Sequence, residues 1–290
     1  MTLSVVLAQK NWLVGDIEGN AARIIQTINN HQHNDLVIFS EMALCGYLPE
    51  DLLFRDDFRA RCEAELANIA QASKLCGVIV GHPTWQDGHI YNSLSFFYQG
   101  QRLALYHKQQ LPNYDVFDEK RYFTAGAQSG IVDFKGYRLG LLICEDLWQA
   151  QPIEQLISQG IELLITINAS PYDNQKVLQR QQLLEKRAKQ LHAPIIYVNQ
   201  VGGQDELIFD GQSLVCDANG QIVSQFDAFV ELSSVVNFDH HLQVLPKQPL
   251  SNLPTSIDFA HIYNALVLAV RDYVTKNGFQ GVVLGLSGGI

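Results

Sequence analysis

Short, continuously apolar segments recur along this chain and limit its fold more than any other feature. They are about four to seven residues long and rich in Val, Ile, Leu and Phe. Seven are predicted to be strands: Leu3–Ala8, Leu36–Phe39, Gly77–Gly81, Ser93–Tyr98, Leu139–Ile143, Leu163–Ile167 and Pro194–Val198. Strands that are apolar on both sides are expected where both faces of a sheet are covered. Amphipathic helices are predicted between them, at 20–30, 57–75 and 176–191, so the alternation indicates an α/β fold.

The last third of the chain departs from this pattern. Residues 209–223 predict a β-hairpin that turns at Asn219-Gly220. Residues 245–255 contain three prolines and are predicted to be a linker. Apolar residues at helical spacing then predict a helix from Ser256 to Asn277, followed by an apolar strand at 281–286.

These features predict a domain over 1–244, a linker over 245–255 and the beginning of a second domain over 256–290. A domain that ended on a buried strand and half a loop would be unstable. We therefore expect the second domain to be truncated or missing in this chain.

Composition excludes several classes of protein. The chain has 20 basic and 30 acidic residues, a net charge of −10, and no run of Lys or Arg, which argues against a nucleic-acid partner. Its five cysteines are odd in number and lack CxxC spacing, so neither a disulfide framework nor a metal site is expected. The N-terminus does not resemble a signal peptide, and the apolar runs are too short to span a membrane. Together these features favour the cytoplasm.

Three predicted strands end in side chains that can carry out chemistry, namely Glu41, Lys108 and Cys144. Taken singly, they would be a solvated acid, a surface lysine and a buried core cysteine. Functional groups gather at the carboxyl ends of strands in open α/β sheets, so their joint occurrence there indicates a catalytic site. Acids follow Cys144 directly, as in the first turn of a helix. Such a strand-to-helix turn exposes a nucleophile, and a helix N-terminus is expected to lower its thiol pKa.

The contexts of these three residues resemble the motifs of the nitrilase, or carbon–nitrogen hydrolase, superfamily over roughly residues 3–240. The matching segments are Phe39-Ser-Glu41 with Cys45-Gly-Tyr, Tyr106-His-Lys108 with Leu111-Pro112, and Ile143-Cys-Glu-Asp146. The resemblance implies an αββα sandwich.

The resemblance also implies roles for these residues. Cys144 would attack an amide, Glu41 would act as general base and acid, and Lys108 with the Glu145 backbone N–H would stabilise the oxyanion. Glu119 matches a second catalytic glutamate of the superfamily. The alternative, that Glu119 is a surface acid beside Asp118, stays open at this point.

A narrower resemblance is to the glutaminase domains of glutamine-dependent NAD synthetases, carried by residues 41–52 and 108–119. It implies that L-glutamine is held by Tyr114, Glu145, Ser170 and Lys176, although Lys176 is equally consistent with a solvated helix lysine. Gly285-Leu-Ser-Gly-Gly-Ile290 resembles the opening of the phosphate-binding loop of ATP-pyrophosphatases. The implied ATP-binding residues are Leu284, Gly285, Leu286, Ser287, Gly288, Gly289 and Ile290.

The implied overall reaction converts deamido-NAD, ATP and glutamine into NAD. The glutaminase part would need no cofactor and no metal, whereas ATP and Mg²⁺ would belong to the synthetase domain. A homo-oligomer is expected by analogy. One alternative is a stand-alone amidase of the same superfamily, which would not require the segment 256–290. A second is a non-catalytic nitrilase-fold binding module, against which the intact Glu41, Lys108 and Cys144 argue.

Overall fold

The computed structural model describes residues 2–245 and 259–288. Most of the predicted linker and the end of the ATP-binding segment, Gly289 and Ile290, lie outside the described residues. The described strands are β1 (Leu3–Gln9), β2 (Leu36–Phe39), β3 (Gly77–Gln86), β4 (His89–Tyr98), β5 (Gln101–His107), β6 (Gly130–Phe134), β7 (Tyr137–Ile143), β8 (Leu163–Asn168), β9 (Ile195–Asn199), β10 (Val201–Gln204), β11 (Leu207–Asp210), β12 (Leu214–Cys216), β13 (Ile222–Gln225), β14 (Leu232–Phe238) and β15 (Val244–Leu245).

Six helices lie within the residues that the structure describes. They are α1 (Ile17–His31), α2 (Asp56–Ala72), α3 (Glu119–Tyr122), α4 (Ala150–Gln159), α5 (Lys176–Leu191) and α6 (Phe259–Lys276), with short 3₁₀ turns at Glu50–Phe54 and Cys144–Leu147. The seven strands and three helices predicted within the first 198 residues all form, with ends that shift by a few residues. The predicted hairpin is also confirmed, because β12 and β13 pair antiparallel on either side of Asn219-Gly220.

Two sheets form the body of the molecule. Among the described residues, the first has the order β15-β14-β1-β2-β3-β4-β5 and the second has the order β13-β12-β9-β8-β7-β6. The central neighbours β1, β2 and β3 are parallel, as are β7, β8 and β9, while the flanking strands are antiparallel. Because β5 is antiparallel to β4, which is antiparallel to β3, the carboxyl ends of β2 and β5 lie at the same edge.

The hydrophobic core has two parts, and β1 contributes to both. Val5 and Leu7 belong to the layer that reaches strands of the second sheet, whereas Val6 and Ala8 pack with α1 and α2. Successive strand residues point to opposite faces, so a strand between two buried layers must be apolar throughout. This confirms the α/β class and the nitrilase-like sandwich.

The C-terminal part follows the prediction only in its helix. α6 forms and packs on β10 and β11, but residues 281–286 form no strand. Val282, Val283 and Leu284 are almost fully exposed. A β-strand is stabilised by hydrogen bonds to a neighbouring strand, and no strand of the described part of the chain pairs with this segment.

Candidate active site

Glu41 lies two residues beyond the end of β2 and is completely buried. Its Oε1 atom accepts hydrogen bonds from Lys108 Nζ at 2.7 Å and from Asn92 Nδ2 at 2.6 Å. Its Oε2 atom accepts one from the Ala169 backbone N–H at 2.8 Å. The turn packs against Gly81 of β3, where an added Cβ would lie 2.5 Å from the Met42 nitrogen. Only glycine therefore lets β3 approach this closely.

Lys108 follows β5 and joins two carboxylates. Its Nζ lies 2.7 Å from Glu41 Oε1 and 2.7 Å from Glu119 Oε1, and all three side chains are buried. Burial acts to lower the pKa of Lys108, but the carboxylates of Glu119 and Glu41 outweigh it, so the pKa lies well above the ordinary lysine value. An ammonium has three N–H donors. Two are used here, which leaves one for a further acceptor.

Glu119 begins α3 and is fully buried, so the reading of this residue as a surface acid is wrong. Besides Lys108, Oε1 accepts a hydrogen bond from the Tyr47 hydroxyl at 2.8 Å. Within the described part of the chain, Oε2 has no hydrogen-bond partner. Burial raises the pKa of Glu119 to about 7, although Lys108 acts in the opposite direction. This carboxyl group therefore titrates near neutral pH.

Cys144 occupies a strained position where β7 ends. Its φ of 46° lies in the left-handed region, which a residue with a side chain rarely adopts. The pKa of the thiol is raised well above its ordinary value, first by burial and then by the negative charge of Glu41. The expected lowering is therefore wrong. The turn after Cys144 spans only Cys144–Leu147, too short to supply a strong helix dipole, and burial dominates. At rest the group is a thiol that needs a base.

Asp146 ties this turn to the segment that follows Lys108. Its carboxylate accepts hydrogen bonds from the backbone N–H groups of Gln109 at 3.0 Å and Gln110 at 2.7 Å, and from the Tyr106 hydroxyl at 2.8 Å. It also accepts one from the Ile143 N–H at 3.2 Å. Burial raises its pKa to about 6. One carboxylate thus fixes the nucleophile turn on one sheet relative to the lysine on the other.

A cleft of about 470 Å³ is lined by the segments that follow β5 and β8, by α5 and by the start of β11, but by none of the four clustered residues. Two predicted glutamine-binding residues line it, Tyr114 and Lys176. The Tyr114 hydroxyl donates to Glu145 Oε2 at 2.9 Å, which places Glu145 next to the rim. Lys176 Nζ lies 4.7 Å from the centre of the Trp148 ring, so this lysine is not simply solvated.

Ser170 does not line the cleft. It is buried behind Pro171, which does, and its backbone N–H donates to Asn199 Oδ1 at 2.9 Å. The structure thus brings Glu41, Lys108 and Glu119 into one buried cluster, and the charges of all three act on Cys144. The Tyr114–Glu145 hydrogen bond links the cleft to this cluster, because Glu145 directly follows Cys144.

The ATP-binding prediction lies apart from this site. Leu284–Gly288 is irregular and exposed, and nothing lies within 4 Å of an added Cβ at Gly285 or Gly288. These described residues do not enclose a phosphate group by themselves. The ATP-binding assignment stays a prediction.

Sequence reasoning missed several residues that organise the site, notably Asn92, Tyr47 and Asp146. Asn92 lies in the middle of β4 and bonds to Glu41, which is 51 positions away in the chain. No local pattern reveals such a contact. Tyr47 and Asp146 belong to the glutamate and cysteine motifs. A polar group within a largely apolar segment was the one indication that each has a structural partner.

Residues 2–245 and 259–288 contain no cluster of His, Cys, Asp and Glu positioned to hold a metal ion. Among the same residues, no helix is both long and apolar enough to span a membrane.

Comparison with known families supports the motif-based resemblance. The carbon–nitrogen hydrolase model matches residues 4–243, and the NAD synthase model matches residues 262–290. A glutamine-dependent NAD(+) synthetase from Acinetobacter baylyi is 39% identical over all of this chain and 53% of its own length. One from Xanthomonas campestris is 41% identical, again over all of this chain and 53% of its own length. The chain thus spans about half the length of the curated relatives it matches.

Comparison with solved structures supports the same family resemblance. A glutamine-dependent NAD+ synthetase from Acinetobacter baumannii, determined in complex with ADP, superposes with a TM-score of 0.94 at 40% identity. The match covers all of this chain and 55% of that one. An amidase from Nesterenkonia sp. superposes with a TM-score of 0.72 at 23% identity, covering 81% of this chain and 90% of its own. That second likeness shows the shared fold alone.

Proposed function

Because this chain belongs to the carbon–nitrogen hydrolase family, we propose that residues 1–244 hydrolyse the side-chain amide of L-glutamine to glutamate and ammonia. One observation carries the proposal: Lys108 bridges the buried carboxylates of Glu41 and Glu119, and the thiol of Cys144 lies within electrostatic range of all three. Burying these charges is costly unless they are paired. A nucleophile, a base and a cation in one cluster are the groups that amide cleavage requires.

The proposed reaction begins with attack by Cys144. Glu41 accepts the thiol proton as the sulfur bonds to the amide carbon, and it then donates that proton to the departing nitrogen. Ammonia leaves and a thioester remains. Glu41 next removes a proton from water, which attacks the thioester, releases glutamate and restores the thiol. Because the resting thiol pKa is raised, base assistance is essential to this sequence.

The oxyanion that forms in each half of the reaction needs hydrogen-bond donors. We assign one to the third N–H of Lys108, which neither carboxylate uses, and one to the backbone N–H of Glu145, which follows the nucleophile. Removing one such donor typically lowers the rate by about 10²–10³-fold. Glu119, as the second carboxylate on Lys108 Nζ, helps to hold the ammonium in place.

Glutamine differs from a simple amide by its α-ammonium and α-carboxylate. The cleft offers Lys176 to the carboxylate, and Tyr114 lines it as well. We assign Glu145 and Ser170, which do not line the cleft, to the inner part of the proposed glutamine site. A cation beside a ring and half withdrawn from water attracts a carboxylate more strongly than an exposed one does.

For the whole protein we propose glutamine-dependent NAD synthesis, in which ammonia from this site amidates deamido-NAD at the expense of ATP and Mg²⁺. Two arguments support it: the relatives described above carry this name, and residues 262–290 match the NAD synthase family. In this proposal residues 245–255 link the domains and 256–290 begin the synthetase domain. Leu284–Ile290 then contribute to its ATP loop. The protein is proposed to be a cytoplasmic homo-oligomer.

The test uses the full-length protein and its Cys144→Ala variant. We expect the variant to lose glutamine-supported NAD formation by more than about 10³-fold, because no thioester can form. Ammonia-supported formation should stay within about twofold of wild type. Cys216→Ala, a buried cysteine in β12, is the matched control and should retain both activities. Loss of both activities in Cys144→Ala would contradict the proposal and assign Cys144 a role in folding.

A further inference from the structure

Two buried arginines project from one face of α5. Arg180 and Arg187 are seven residues apart, which is about two helical turns and about 10 Å along the axis. Both belong to the buried face of this helix, among apolar residues such as Leu184. Charged residues are rarely buried without a specific set of partners. The partners of the two arginines lie in different parts of the candidate active site.

Arg180 donates hydrogen bonds from all three of its guanidinium nitrogens. Its Nη1 donates to both carboxylate oxygens of Asp210, at 2.8 and 2.9 Å. Its Nη2 donates to the carbonyl oxygens of Ser170 and Pro171, each at 3.0 Å, and its Nε donates to Ser170 Oγ at 3.3 Å. All three nitrogens of the guanidinium fork are therefore engaged. Arg180 thus fixes the segment that leads from β8 to the wall of the cleft.

Arg187 holds the nucleophile turn. Its Nε donates to the Leu147 carbonyl at 2.8 Å, and its Nη2 donates to the carbonyls of Trp148 at 2.7 Å and Gln149 at 3.0 Å. The last carbonyls of a helical turn have no partner within the turn, so a guanidinium is well suited to them. Leu147 ends the turn that begins at Cys144, and Trp148 and Gln149 come next in the chain. The fourth partner is Gln190, whose Oε1 accepts from Nη1 at 2.9 Å.

The positive charges of Arg180 and Arg187 differ in whether a carboxylate neutralises them. Arg180 forms an ion pair with Asp210, whereas no carboxylate in the described part of the chain lies within 4.0 Å of the Arg187 guanidinium. Burial lowers the pKa of Arg187 despite the influence of Glu154. Burying a charge without a counter-ion costs folding free energy. An apolar side chain would fill the same space, so the contacts with the turn are what this arginine contributes.

We infer that α5 positions the two halves of the active site through separate arginines, Arg187 for the nucleophile and Arg180 for substrate binding. Both are positioning residues, since they contact the backbone of the site and Ser170 but not the reacting atoms. The inference rests on the proposed glutaminase function. It assigns the orientation of Cys144 to Arg187, and the placement of Ser170 and the adjoining cleft wall to Arg180.

The experiment compares Arg187→Lys with Arg180→Lys in the full-length protein. Lysine keeps the charge but cannot form the fork of hydrogen bonds. Three quantities are measured: kcat, KM for glutamine, and the rate at which iodoacetamide alkylates Cys144. Arg59→Lys is the matched control, because Arg59 is exposed on α2 and pairs with Glu63; it should leave all three unchanged.

For Arg187→Lys we expect kcat and the alkylation rate to fall together by about tenfold or more, with KM within about twofold, since small displacements of reacting groups can cost up to about 10²-fold. For Arg180→Lys we expect KM to rise by about tenfold while alkylation stays within about twofold. Equal changes in all three quantities for both variants, or unchanged alkylation in Arg187→Lys, would overturn the inference.

Milder variants keep the test decisive if a lysine variant folds poorly. Gln190→Ala removes one partner of Arg187 and should lower kcat and alkylation slightly, whereas Asp210→Asn weakens the anchor of Arg180 and should raise KM. The opposite pattern would overturn the inference. Because alkylation does not require glutamine, wild-type Cys144 that reacts with iodoacetamide while glutamine is not hydrolysed would count against the proposed function. The contrast in alkylation between the variants would still test the inference.

Discussion

Lys108 and Lys276 are both withdrawn from water, yet their surroundings shift their pKa values in opposite directions. Lys108 Nζ contacts two carboxylates, and its pKa is raised well above the ordinary value even though burial acts against it. Lys276 Nζ donates to the carbonyl oxygens of Trp12 at 2.9 Å and Gly203 at 2.8 Å. Burial lowers the pKa of Lys276 to about 8, and Asp272 only partly offsets it.

The difference separates a lysine whose charge is required from one whose hydrogen bonds are required. At the candidate active site, the paired acids keep Lys108 cationic at every pH at which the protein would work. On α6, the ammonium serves mainly as a donor that holds the helix against β10. The contrast predicts that catalysis depends on the contacts of Lys108. The docking of α6, and a pH-dependent part of the folding stability, should depend on the contacts of Lys276 and Asp272.

Replacing Lys108 should have the largest effect, because catalysis is expected to require its positive charge. Lys108→Met keeps the length of the side chain but removes the cation and the oxyanion donor, and it leaves Glu41 and Glu119 facing each other. We expect kcat for glutamine to fall by at least about 10³-fold, or ~4 kcal/mol. Steady-state kinetics measure this. Lys120→Met, an exposed position in α3, is the control, and a loss below about tenfold for Lys108→Met would show that the cation is dispensable.

Titration of Glu119 should make kcat depend on pH, because Glu119 is one of the two acids that contact Lys108. Its pKa is raised to about 7, so the group is protonated below this pH and is a carboxylate above it. Since the carboxylate attracts the Lys108 ammonium more strongly, we expect kcat to rise as the pH increases through 7. Glu119→Gln should lower kcat by about 30-fold, or ~2 kcal/mol, and should remove this inflection.

A pH–rate profile between pH 5.5 and 8.5 measures the effect of Glu119→Gln. Asp118→Asn is the control, because this neighbouring acid is exposed. An inflection near pH 7 that persists in Glu119→Gln would assign the titration to another group.

Replacing Asp272 tests the contacts that hold α6 against β10 and leaves the active-site contacts of Lys108 unchanged. Its Oδ2 atom accepts hydrogen bonds from Asn11 Nδ2 at 2.6 Å and from the Gly203 N–H at 2.8 Å. Asp272→Ala leaves these donors unsatisfied and should weaken α6 docking by about 1–3 kcal/mol. Hydrogen exchange of α6 amides should speed up accordingly, while Asp118→Ala, which replaces an exposed acid before α3, should have no effect. Unchanged exchange would mean that apolar contacts alone hold the helix.

The two clusters also differ in how far the sequence predicted them. Glu41, Lys108 and Cys144 were predictable because each ends an apolar strand within a recognisable motif. The pairing of Lys108 with two acids, and the raised thiol pKa, depend on burial that only the folded chain defines. Asp272 and Lys276 carried no signal, because both lie on a helix whose pattern described only its apolar residues.

Two further features could not be predicted because they also depend on contacts between distant parts of the chain. α5 was predicted correctly as a helix, but its polar composition concealed that Arg180 and Arg187 are buried. Helical periodicity identifies the apolar face and cannot reveal a charged side chain whose partners lie on distant loops. Residues 281–286 show the converse error. An apolar run predicted a strand there, but strand formation depends on a neighbour that the local sequence does not specify.

The smallest predicted effect concerns Lys276 and has a defined sign. Its folded-state pKa of about 8 lies below the value of about 10.4 in an unfolded chain. Between these two values the unfolded state binds more protons, so the free energy of unfolding should rise with pH across this window. A neutral amine still offers N–H donors to Trp12 and Gly203, so docking is retained. Lys276→Met lacks the titrating group.

Urea unfolding of wild type and Lys276→Met at pH 7 and pH 10 measures this linkage. The stability of wild type relative to the variant should increase by roughly 1–2 kcal/mol between these pH values, after allowance for partial exposure. Lys74→Met, at an exposed position, should show no such change relative to wild type. If the difference instead fell as the pH rose, Lys276 would be held by its charge, as Lys108 is. The two lysines would then follow the same rule.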